Sequence, residues 1–356
     1  MPGLRPYTAV CLVTSVFDAK DGKGIRENIE RISSILEACS WSEPKLVALT
    51  EGALQGFTDE VDWIAHGSID EARYAREWAI EIPGEETDLL GAEAKRYGTY
   101  ILAQAKATLP EFPGTYFNAQ FLIKPDGKPF AQPNGRPYIH CKNLVCTLVE
   151  PSTTPHDVYD RWVEAFGDGL DAFFPVARTP DIGNIGSCIC AEKNALPESF
   201  RALTLNGAEV IYAPAAIERP TDIYEAICRA RAADYCCYLL APNVGRHYLD
   251  REGKRVGFAT GGGHTSYLID PLGTVIGRTS HETDTWIGGT IDIEYLRDLR
   301  SRIWYGPAAF KVEIFKKLFD GSIYPKDSKP RSRAEVLELR ERIIQKLVEE
   351  GRLSAP

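Results

Sequence analysis

The first fifty residues show two periods of apolar side chains, one typical of strands and one typical of helices. From Tyr7 to Phe17 the residues are mostly apolar and often β-branched, as in a strand. The segment IRENIERISSILEAC then places apolar side chains at helical spacing, at Ile25, Ile29, Ile32, Leu36 and Cys39. A short apolar run, KLVALTE, ends in Glu51. This order of strand, helix and strand predicts a sheet covered by helices.

The same order of elements recurs further along the chain. A predicted helix, ETDLLGAEAKRYG, precedes the apolar run TYILAQAKA, and YFNAQFLIKPDGKPFAQ has a Pro-Asp-Gly turn between two strand-like arms. In the second half, YEAICRARAADY precedes CCYLLAPNVG, and HTSYLIDPLGTVIG is a second predicted hairpin. The two halves share a plan, so we predict an α/β fold with four layers, an αββα sandwich with a pseudo-twofold repeat.

The end of the chain has a different pattern. The segment RAEVLELRERIIQKLVEE predicts an amphipathic helix that packs either on the body of the protein or on a second subunit. We therefore divide the chain into a main domain at residues 1–310 and a C-terminal extension at residues 311–356, a candidate interface. Residues 125 to 184 are rich in Pro, Asn, Gly and Asp, which predicts long connections of the kind that carry functional sites.

Composition and charge narrow the class of partner. The formal net charge is −9 and no segment is rich in Lys and Arg, so neither nucleic acid nor an anionic membrane is the expected partner. No run of about 18 apolar residues is present that could span a bilayer. Nine cysteines without repeated spacing favour a reducing compartment over a disulfide framework. We expect a cytoplasmic protein that acts on a small molecule.

Two cysteines stand at the end of a predicted strand in the segment NIGSCIC. If the strand runs through both, alternation places Cys188 and Cys190 on one face. Cys190 comes directly before a predicted helix, where backbone N–H groups favour the thiolate and can hold a developing oxyanion. Cys190 is therefore the better candidate nucleophile, and a buried, inert thiol remains the alternative.

Other chemistry that uses these residue types is not favoured by the spacing. One third of the chain contains many potential zinc ligands, but no C-x2-C or H-x3-H pair joins them. The sequence also lacks the G-x-S-x-G turn of serine hydrolases. We predict no metal site and no cofactor. The rejected zinc ligands are His140, Cys141, Cys146, His156, Cys188 and Cys190.

Three segments together resemble a known family. Glu51 in LVALTEGALQGF, Lys142 in YIHCKNL and Cys190 in IGSCICAEKNALPESFRALTLNGAEVIYAPAA resemble the Glu-Lys-Cys set of the nitrilase superfamily of carbon-nitrogen hydrolases. Further similarity in RARAADYCCYLLAPNVG, HTSYLIDPLGTVIG and GGTIDIEYLRDLR extends the resemblance over roughly residues 7 to 300. The resemblance implies the αββα sandwich of that family, in agreement with the repeated plan of the chain.

The resemblance also implies a role for each matching residue. Cys190 would be the nucleophile, Glu51 the general base, and Lys142 the cation that stabilises the tetrahedral intermediate. Some amidase branches carry a second glutamate eight residues after the lysine, which here is Glu150, a positioning or proton-shuttling group. Lys124 in LIKPDG is a rival for the lysine position, but the predicted hairpin turn would face it to solvent.

The sequence departs from the family pattern around these residues. Thr50 stands where a proline usually precedes the glutamate, and Phe57 replaces a tyrosine. The pair before the lysine is His140-Cys141 rather than an aromatic residue and arginine, and Ala191 replaces the aromatic residue that usually follows the cysteine. The last change predicts a wider pocket wall.

The segment PESFRAL after the cysteine is similar to the amidase and carbamoylase branches. We therefore predict hydrolysis of a small linear amide, through a cysteine thioester, to a carboxylate and ammonia or an amine. N-carbamoyl amides and nitriles are alternative substrates, and a catalytically silent binding protein is the alternative from another class. Family members often form dimers or larger assemblies, so a homo-oligomer is expected.

Several loops are expected to shape the pocket, at residues 53–82, 105–115, 142–180 and 215–222, with TPHDVYDRW as an inserted lid. The residues expected to contact the substrate are Phe57, Asn118, Ala191, Glu192 and Ala215.

Overall fold

The strands and helices below belong to a computed structural model, which describes residues 3–19, 22–216, 221–248, 265–280, 283–303, 310–319 and 323–355. The strands are β1 (Tyr7–Val13), β2 (Val16–Phe17), β3 (Leu46–Ala48), β4 (Tyr100–Ala107), β5 (Phe117–Ile123), β6 (Ile139–Cys141), β7 (Val176–Arg178), β8 (Asn184–Ser187), β9 (Val210–Tyr212), β10 (Tyr238–Ala241), β11 (His247–Tyr248), β12 (Ser266–Ile269), β13 (Val275–Thr279) and β14 (Thr285–Ile291).

The α-helices fill much of the sequence between these strands. They are α1 (Gly22–Cys39), α2 (Thr58–His66), α3 (Glu71–Glu77), α4 (Glu85–Tyr97), α5 (Tyr159–Phe166), α6 (Leu170–Phe173), α7 (Ala191–Ala195), α8 (Pro197–Leu205), α9 (Thr221–Tyr235), α10 (Ile293–Arg302), α11 (Val312–Phe315) and α12 (Arg333–Glu349). Within the described residues, no helix combines the length and the apolar composition needed to cross a membrane.

Two six-stranded sheets repeat the same sequence of strand directions. The first has the order β14-β1-β3-β4-β5-β6, and the second has the order β7-β8-β9-β10-β12-β13. In each sheet the first pair is antiparallel, the next two pairs are parallel, and the last two are antiparallel. β2 and β11 form a small separate parallel sheet. The repeat agrees with the plan that the two halves of the sequence share.

The alternation of side chains in β1 shows how the layers arise. Val10 and Leu12 pack in the cluster that includes the apolar face of α1, whereas Ala9 and Cys11 point into a cluster formed by strands of both sheets. A third cluster lies between the second sheet and helices α8 and α9. Each sheet therefore buries one face against helices and its other face against the other sheet. The predicted α/β class is confirmed.

The helical pattern at the start of the chain is confirmed in detail. The side chains that predicted α1 are all buried in the first cluster: Ile25, Ile29, Ile32, Leu36 and Cys39. The predicted C-terminal helix forms α12, which buries Val336 and Leu339. The second predicted hairpin is formed by β12 and β13, which pair antiparallel.

The first predicted hairpin is only partly formed. Its turn closes with a hydrogen bond from the Lys124 N–H to the Lys128 carbonyl at 2.8 Å. The second arm, however, makes isolated bridges through Pro129 and Pro137 instead of a strand. Proline has no N–H to donate to a strand ladder, which explains the interruption. The Lys124 side chain lies on this turn and pairs with Asp126, 2.6 Å away.

Candidate active site

The candidate nucleophile lies in a tight turn after β8. Cys190 has φ of 47° and ψ of −101°, an uncommon backbone conformation for a residue with a side chain. Its N–H donates to the Pro214 carbonyl at 2.9 Å, just beyond the end of β9, and α7 begins at Ala191. A hydrogen bond between neighbouring strand ends therefore fixes the position of Cys190.

The predicted strand through both cysteines is wrong, because β8 ends at Ser187. The N–H of Cys188 still donates to the Tyr212 carbonyl at 2.9 Å, and its buried thiol joins the cluster between the second sheet and its helices. Cys190 is half-buried and lies among the charges of the site, where Glu51 and Lys142 both influence its pKa. The two thiols therefore occupy different environments.

Glu51 follows β3, with 2% of its surface exposed, and both of its carboxylate oxygens accept hydrogen bonds. Oε2 accepts from the Ala216 N–H at 3.0 Å. Oε1 accepts from Asn118 Nδ2 at 3.1 Å and lies 3.3 Å from Lys142 Nζ. These contacts join segments that are distant in the sequence, so the carboxylate has a defined orientation.

Lys142 follows β6 and lies between two carboxylates. Its ammonium is 3.3 Å from Glu51 Oε1 and 2.5 Å from Glu150 Oε2, with 1% of the residue exposed. Glu150 is held from its other side, where Oε1 accepts from Asn118 Nδ2 at 2.7 Å and from Ser152 Oγ at 2.8 Å. The structure thus brings together Glu51, Lys142, Glu150 and Asn118.

Burial and charge set the protonation states of these groups. Burial alone would lower the pKa of Lys142, but Glu150 and Glu51 outweigh it and hold that pKa well above its usual value. Burial alone would raise the pKa of Glu150, but the charges of Lys142 and Lys106 lower it to about 2. At neutral pH Lys142 is therefore an ammonium and Glu150 a carboxylate.

The environment of Cys190 favours a neutral thiol in the resting protein. Burial raises the pKa of the Cys190 thiol, the negative charge of Glu51 raises it further, and Lys142 opposes both effects. Reaction at neutral pH therefore needs a base that removes the thiol proton as the sulfur attacks.

Two of the residues predicted to contact substrate already bind other groups of the protein. Asn118 is fully buried, and its amide nitrogen donates to Glu51 and Glu150. Glu192 is also fully buried, and its two oxygens accept the N–H groups of Ile189 and Asn143, each at 2.7 Å. These contacts favour a structural role for both side chains over the predicted contact with substrate.

The other residues predicted to contact substrate are Ala191, Ala215 and Phe57. Ala191 directly follows Cys190, and Ala215 is buried and directly precedes Ala216, whose N–H donates to Glu51. Phe57 is buried in a separate small cluster with Val16 and Val244.

Of the predicted pocket loop at 215–222, residues 217–220 lie outside the described residues. The predicted lid forms a short helical turn and α5, which buries Trp162 against the first core cluster.

The sequence interpretation missed a second buried lysine. Lys106 on β4 lies 3.2 Å from Asp59, 3.2 Å from Glu60 and 3.4 Å from Glu150, measured between charged atoms. The sequence pattern that could have revealed it is the strand YILAQAKA, where Gln104 and Lys106 are polar residues two positions apart in an apolar strand.

In the described part of the chain, no group of His, Cys, Asp and Glu has the arrangement of a metal site.

The described site thus contains a half-buried cysteine whose pKa is influenced by a buried glutamate and a buried lysine. A family model described as carbon-nitrogen hydrolase matches residues 24–301. The chain therefore belongs to the carbon-nitrogen hydrolase family, within the nitrilase superfamily.

Individual relatives agree with this assignment. The chain is 30% identical to a deaminated glutathione amidase of Synechocystis sp. over 282 residues, which cover 77% of this chain and 87% of that protein. It is 26% identical to omega-amidase NIT2 of Xenopus tropicalis, over 78% of this chain and 87% of that protein. A solved carbon-nitrogen hydrolase structure from Helicobacter pylori G27 shares the fold, with a TM-score of 0.64, 17% identity and coverage of 89% and 99%. The chain is an amidase-type carbon-nitrogen hydrolase.

Proposed function

We propose that this enzyme hydrolyses a small linear amide through a thioester on Cys190, with Glu51 as general base and Lys142 as the stabilising cation. The observation that carries the proposal is the position of Lys142 Nζ, 3.3 Å from Glu51 Oε1, beside a half-buried thiol whose pKa responds to both charges. Base and cation are thus available in one place, as the chemistry of acyl transfer requires.

In the first half of the reaction, Glu51 takes the proton of the Cys190 thiol as the sulfur attacks the amide carbon. The carbonyl oxygen becomes negatively charged, and the Lys142 ammonium and the N–H of Ala191 stabilise it. Removal of one such donor typically lowers the rate by a factor of about 10²–10³. When the intermediate collapses, the C–N bond breaks, the amine leaves with the proton held by Glu51, and the thioester remains.

In the second half, Glu51 takes a proton from a water molecule that attacks the thioester carbon. The second tetrahedral intermediate uses the same two donors. Its collapse breaks the C–S bond, releases the carboxylic acid and returns the proton to the sulfur. Glu150 acts by holding Lys142 in place, since its Oε2 is 2.5 Å from the ammonium.

A panel of small amides, N-carbamoyl amino acids and nitriles, scored for released ammonia or amine, tests the substrate class. We expect turnover of linear amides, and mass spectrometry of the reacting enzyme to find an acyl group on Cys190. Turnover of nitriles or carbamoyl amino acids alone would change the substrate class. The absence of both turnover and adduct with every compound would overturn the proposal in favour of a silent binding protein.

Matched variants of the two neighbouring cysteines separate chemistry from packing. Cys190→Ala should abolish turnover and keep the fold. Cys188→Ala should keep turnover and lose only packing in the cluster against Phe200 and Leu203, with a cost of roughly 0.5–3 kcal/mol in unfolding free energy. Equal loss of activity in both variants would contradict the assignment of the nucleophile.

The location and assembly of the protein form part of the same proposal. All nine cysteines are free thiols, which supports a reducing compartment such as the cytoplasm. The C-terminal extension, residues 311–356, exposes Leu337 and Ile344 on α12, which supports a role in a homo-oligomer. Light scattering of the wild type and of Leu337→Glu/Ile344→Glu should show a smaller assembly for the variant, whereas equal masses would place the interface elsewhere.

A further inference from the structure

A second buried lysine, Lys106, lies within salt-bridge distance of Glu150 in the candidate site. Lys106 on β4 is paired in register with Asn118 on β5, so the two side chains lie next to each other on one face of the sheet. Both contact the same atom, Glu150 Oε1, at 3.4 Å from Lys106 Nζ and 2.7 Å from Asn118 Nδ2. Lys106 therefore touches the group that holds Lys142.

The surroundings of Lys106 fix its position. Its backbone N–H and carbonyl both bond to the side-chain amide of Gln55, at 2.6 and 3.0 Å, and Gln55 follows Glu51 by four residues. Its ammonium lies 3.2 Å from Asp59 and 3.2 Å from Glu60, both in the first turn of α2. We call Asp59, Glu60, Lys106 and Glu150 the Lys106 cluster.

The count of charges shows what Lys106 contributes. Four buried carboxyl groups, Glu51, Glu150, Asp59 and Glu60, surround two lysines. Among the described residues, Lys106 and Lys142 are the cations within salt-bridge distance of Glu150. Without Lys106, Glu150 would depend on Lys142 alone, although Lys142 must also face Glu51.

The distances indicate how Lys142 is shared. Its ammonium is closer to Glu150, at 2.5 Å, than to Glu51, at 3.3 Å. A second cation on Glu150 reduces the electrostatic pull of that carboxylate on Lys142, since opposite charges partly cancel at short range. An ammonium has three donors, and a weaker pull from Glu150 leaves donors for Glu51 and for a substrate oxygen.

We propose that Lys106 is a positioning residue of the reaction: by sharing the charge of Glu150, it keeps Lys142 directed at Glu51 and the reacting carbonyl. The inference rests on the proposed function of Lys142. It assigns a role to a residue that touches neither substrate nor nucleophile and that acts through Glu150.

The test compares the pH dependence of kcat in the wild type and in Lys106→Met, which keeps length and removes charge. We expect kcat to fall by about tenfold or more with KM changed less than about threefold, because a positioning effect acts on the reacting complex. We also expect the acidic limb of kcat to move to higher pH. Loss of one cation raises the pKa of Glu150, so Glu150 becomes protonated at higher pH. The charged groups that face Glu150 are Lys142, Lys106, Asp59, Glu60 and, through Asn118, Glu51.

Lys128→Met is the matched control, because it makes the same substitution at an exposed lysine on the turn after β5. Its kcat should stay within about twofold of the wild type, with the acidic limb unmoved. The double variant Lys106→Met/Glu60→Gln tests whether Lys106 has only a structural role or also positions Lys142. It should regain thermal stability relative to Lys106→Met while kcat and the acidic limb stay altered.

An unchanged kcat and acidic limb in folded Lys106→Met would overturn the inference, and so would full recovery of activity in the double variant. If Lys106→Met does not fold, Lys106→Met/Asp59→Asn/Glu60→Gln, in which the cluster lacks both the cation and the two acids, carries the same comparison. Cys190→Ala is assayed in parallel. If the wild type turns over amides through Cys190 and the Lys106 variants behave as wild type, the inference alone fails; if the wild type shows no turnover and no adduct, the proposed function fails with it.

Discussion

His140 Nε2 lies 3.1 Å from Glu192 Oε2, and both side chains are fully buried. The same carboxylate accepts the N–H of Ile189 through Oε2 and the N–H of Asn143 through Oε1. Asn143 comes directly after the candidate lysine and Ile189 directly before the candidate nucleophile. One carboxylate therefore joins the two chain segments that carry the candidate lysine and the candidate nucleophile.

We predict that Glu192→Gln loosens this junction. Glutamine keeps the shape of the side chain, but its NH₂ group cannot accept a hydrogen bond, so the N–H of Ile189 or Asn143 loses its partner. A buried unpaired amide costs about 1–3 kcal/mol, and we expect a loss of this size in unfolding free energy, measured in urea. Because the spacing of Lys142 and Cys190 is less well fixed, kcat should fall by about tenfold with little change in KM.

The reference variant is Glu198→Gln, which removes an exposed carboxylate on the neighbouring helix α8. It should leave stability and kcat unchanged. If Glu192→Gln keeps the kcat of the wild type while losing stability, Glu192 contributes to folding but not to the alignment of the site.

Gly52, the residue after Glu51, is predicted to tolerate no side chain. Its φ is +72°, and a Cβ there would lie 2.5 Å from the ring of Phe57. Gly67 has nearly the same φ, +73°, but open space around it, so Gly67→Ala carries only the conformational penalty of about 1–2 kcal/mol. Gly52→Ala should lose clearly more stability than Gly67→Ala in thermal unfolding. It should also lower kcat, since the backbone next to Glu51, the proposed general base, must move. Equal losses in the two variants would show that the Phe57 ring gives way.

The apolar pattern predicted the sheets and the first and last helices because one face of each element is buried in a defined core. Alternation along β1 and the helical spacing in α1 are local properties of the sequence, so they could be recognised without the fold. The predicted end of β8 at Cys190 was wrong for a tertiary reason. Cys and Ile are compatible with a strand, and the turn is set by the hydrogen bond from Cys190 N–H to the Pro214 carbonyl, which no local pattern reveals.

The site shows a similar division between local and tertiary information. Glu51 and Cys190 could be proposed because each ends a predicted strand, whereas Lys142 was found only through the resemblance of its segment to the family. Lys106 and the acids around it come from a strand and a helix far apart in sequence, and their pairing depends on how α2 lies against β4. Glu192 was predicted to contact substrate because it lies two residues after Cys190, and this position did not reveal that backbone N–H groups donate to its carboxylate.

The resting state of Cys190 gives a prediction for alkylation. The negative charge of Glu51 raises the pKa of the thiol, so Glu51→Gln should lower that pKa and increase the thiolate fraction at a fixed pH below it. Alkylation of Cys190 by iodoacetamide, followed by peptide mass spectrometry at about pH 8, should become faster. The proposed role of Glu51 as base predicts that the same variant loses amide turnover. A Cys146→Ser background removes the exposed thiol that would compete for the reagent. Slower alkylation in Glu51→Gln would contradict this account of the thiol.

The lowered pKa of Glu150 predicts how stability depends on acid. A carboxyl group whose pKa is lower in the folded than in the unfolded protein stabilises the fold when ionised, so its contribution is complete above its ordinary value of 4.5 and is lost as the pH falls towards about 2. Asp59 and Glu60 have raised pKa values and contribute with the opposite sign, but they are present in both proteins when the wild type is compared with Glu150→Gln. The difference in unfolding free energy between these two proteins, measured in urea, should therefore be largest above about pH 5 and should shrink as the pH falls to about 2. Glu164→Gln, which changes an exposed glutamate on α5, is the reference. A difference for Glu150→Gln that stays constant across this range would mean that the two lysines do not hold Glu150 ionised, and the charge sharing on which Lys142 depends would then be absent.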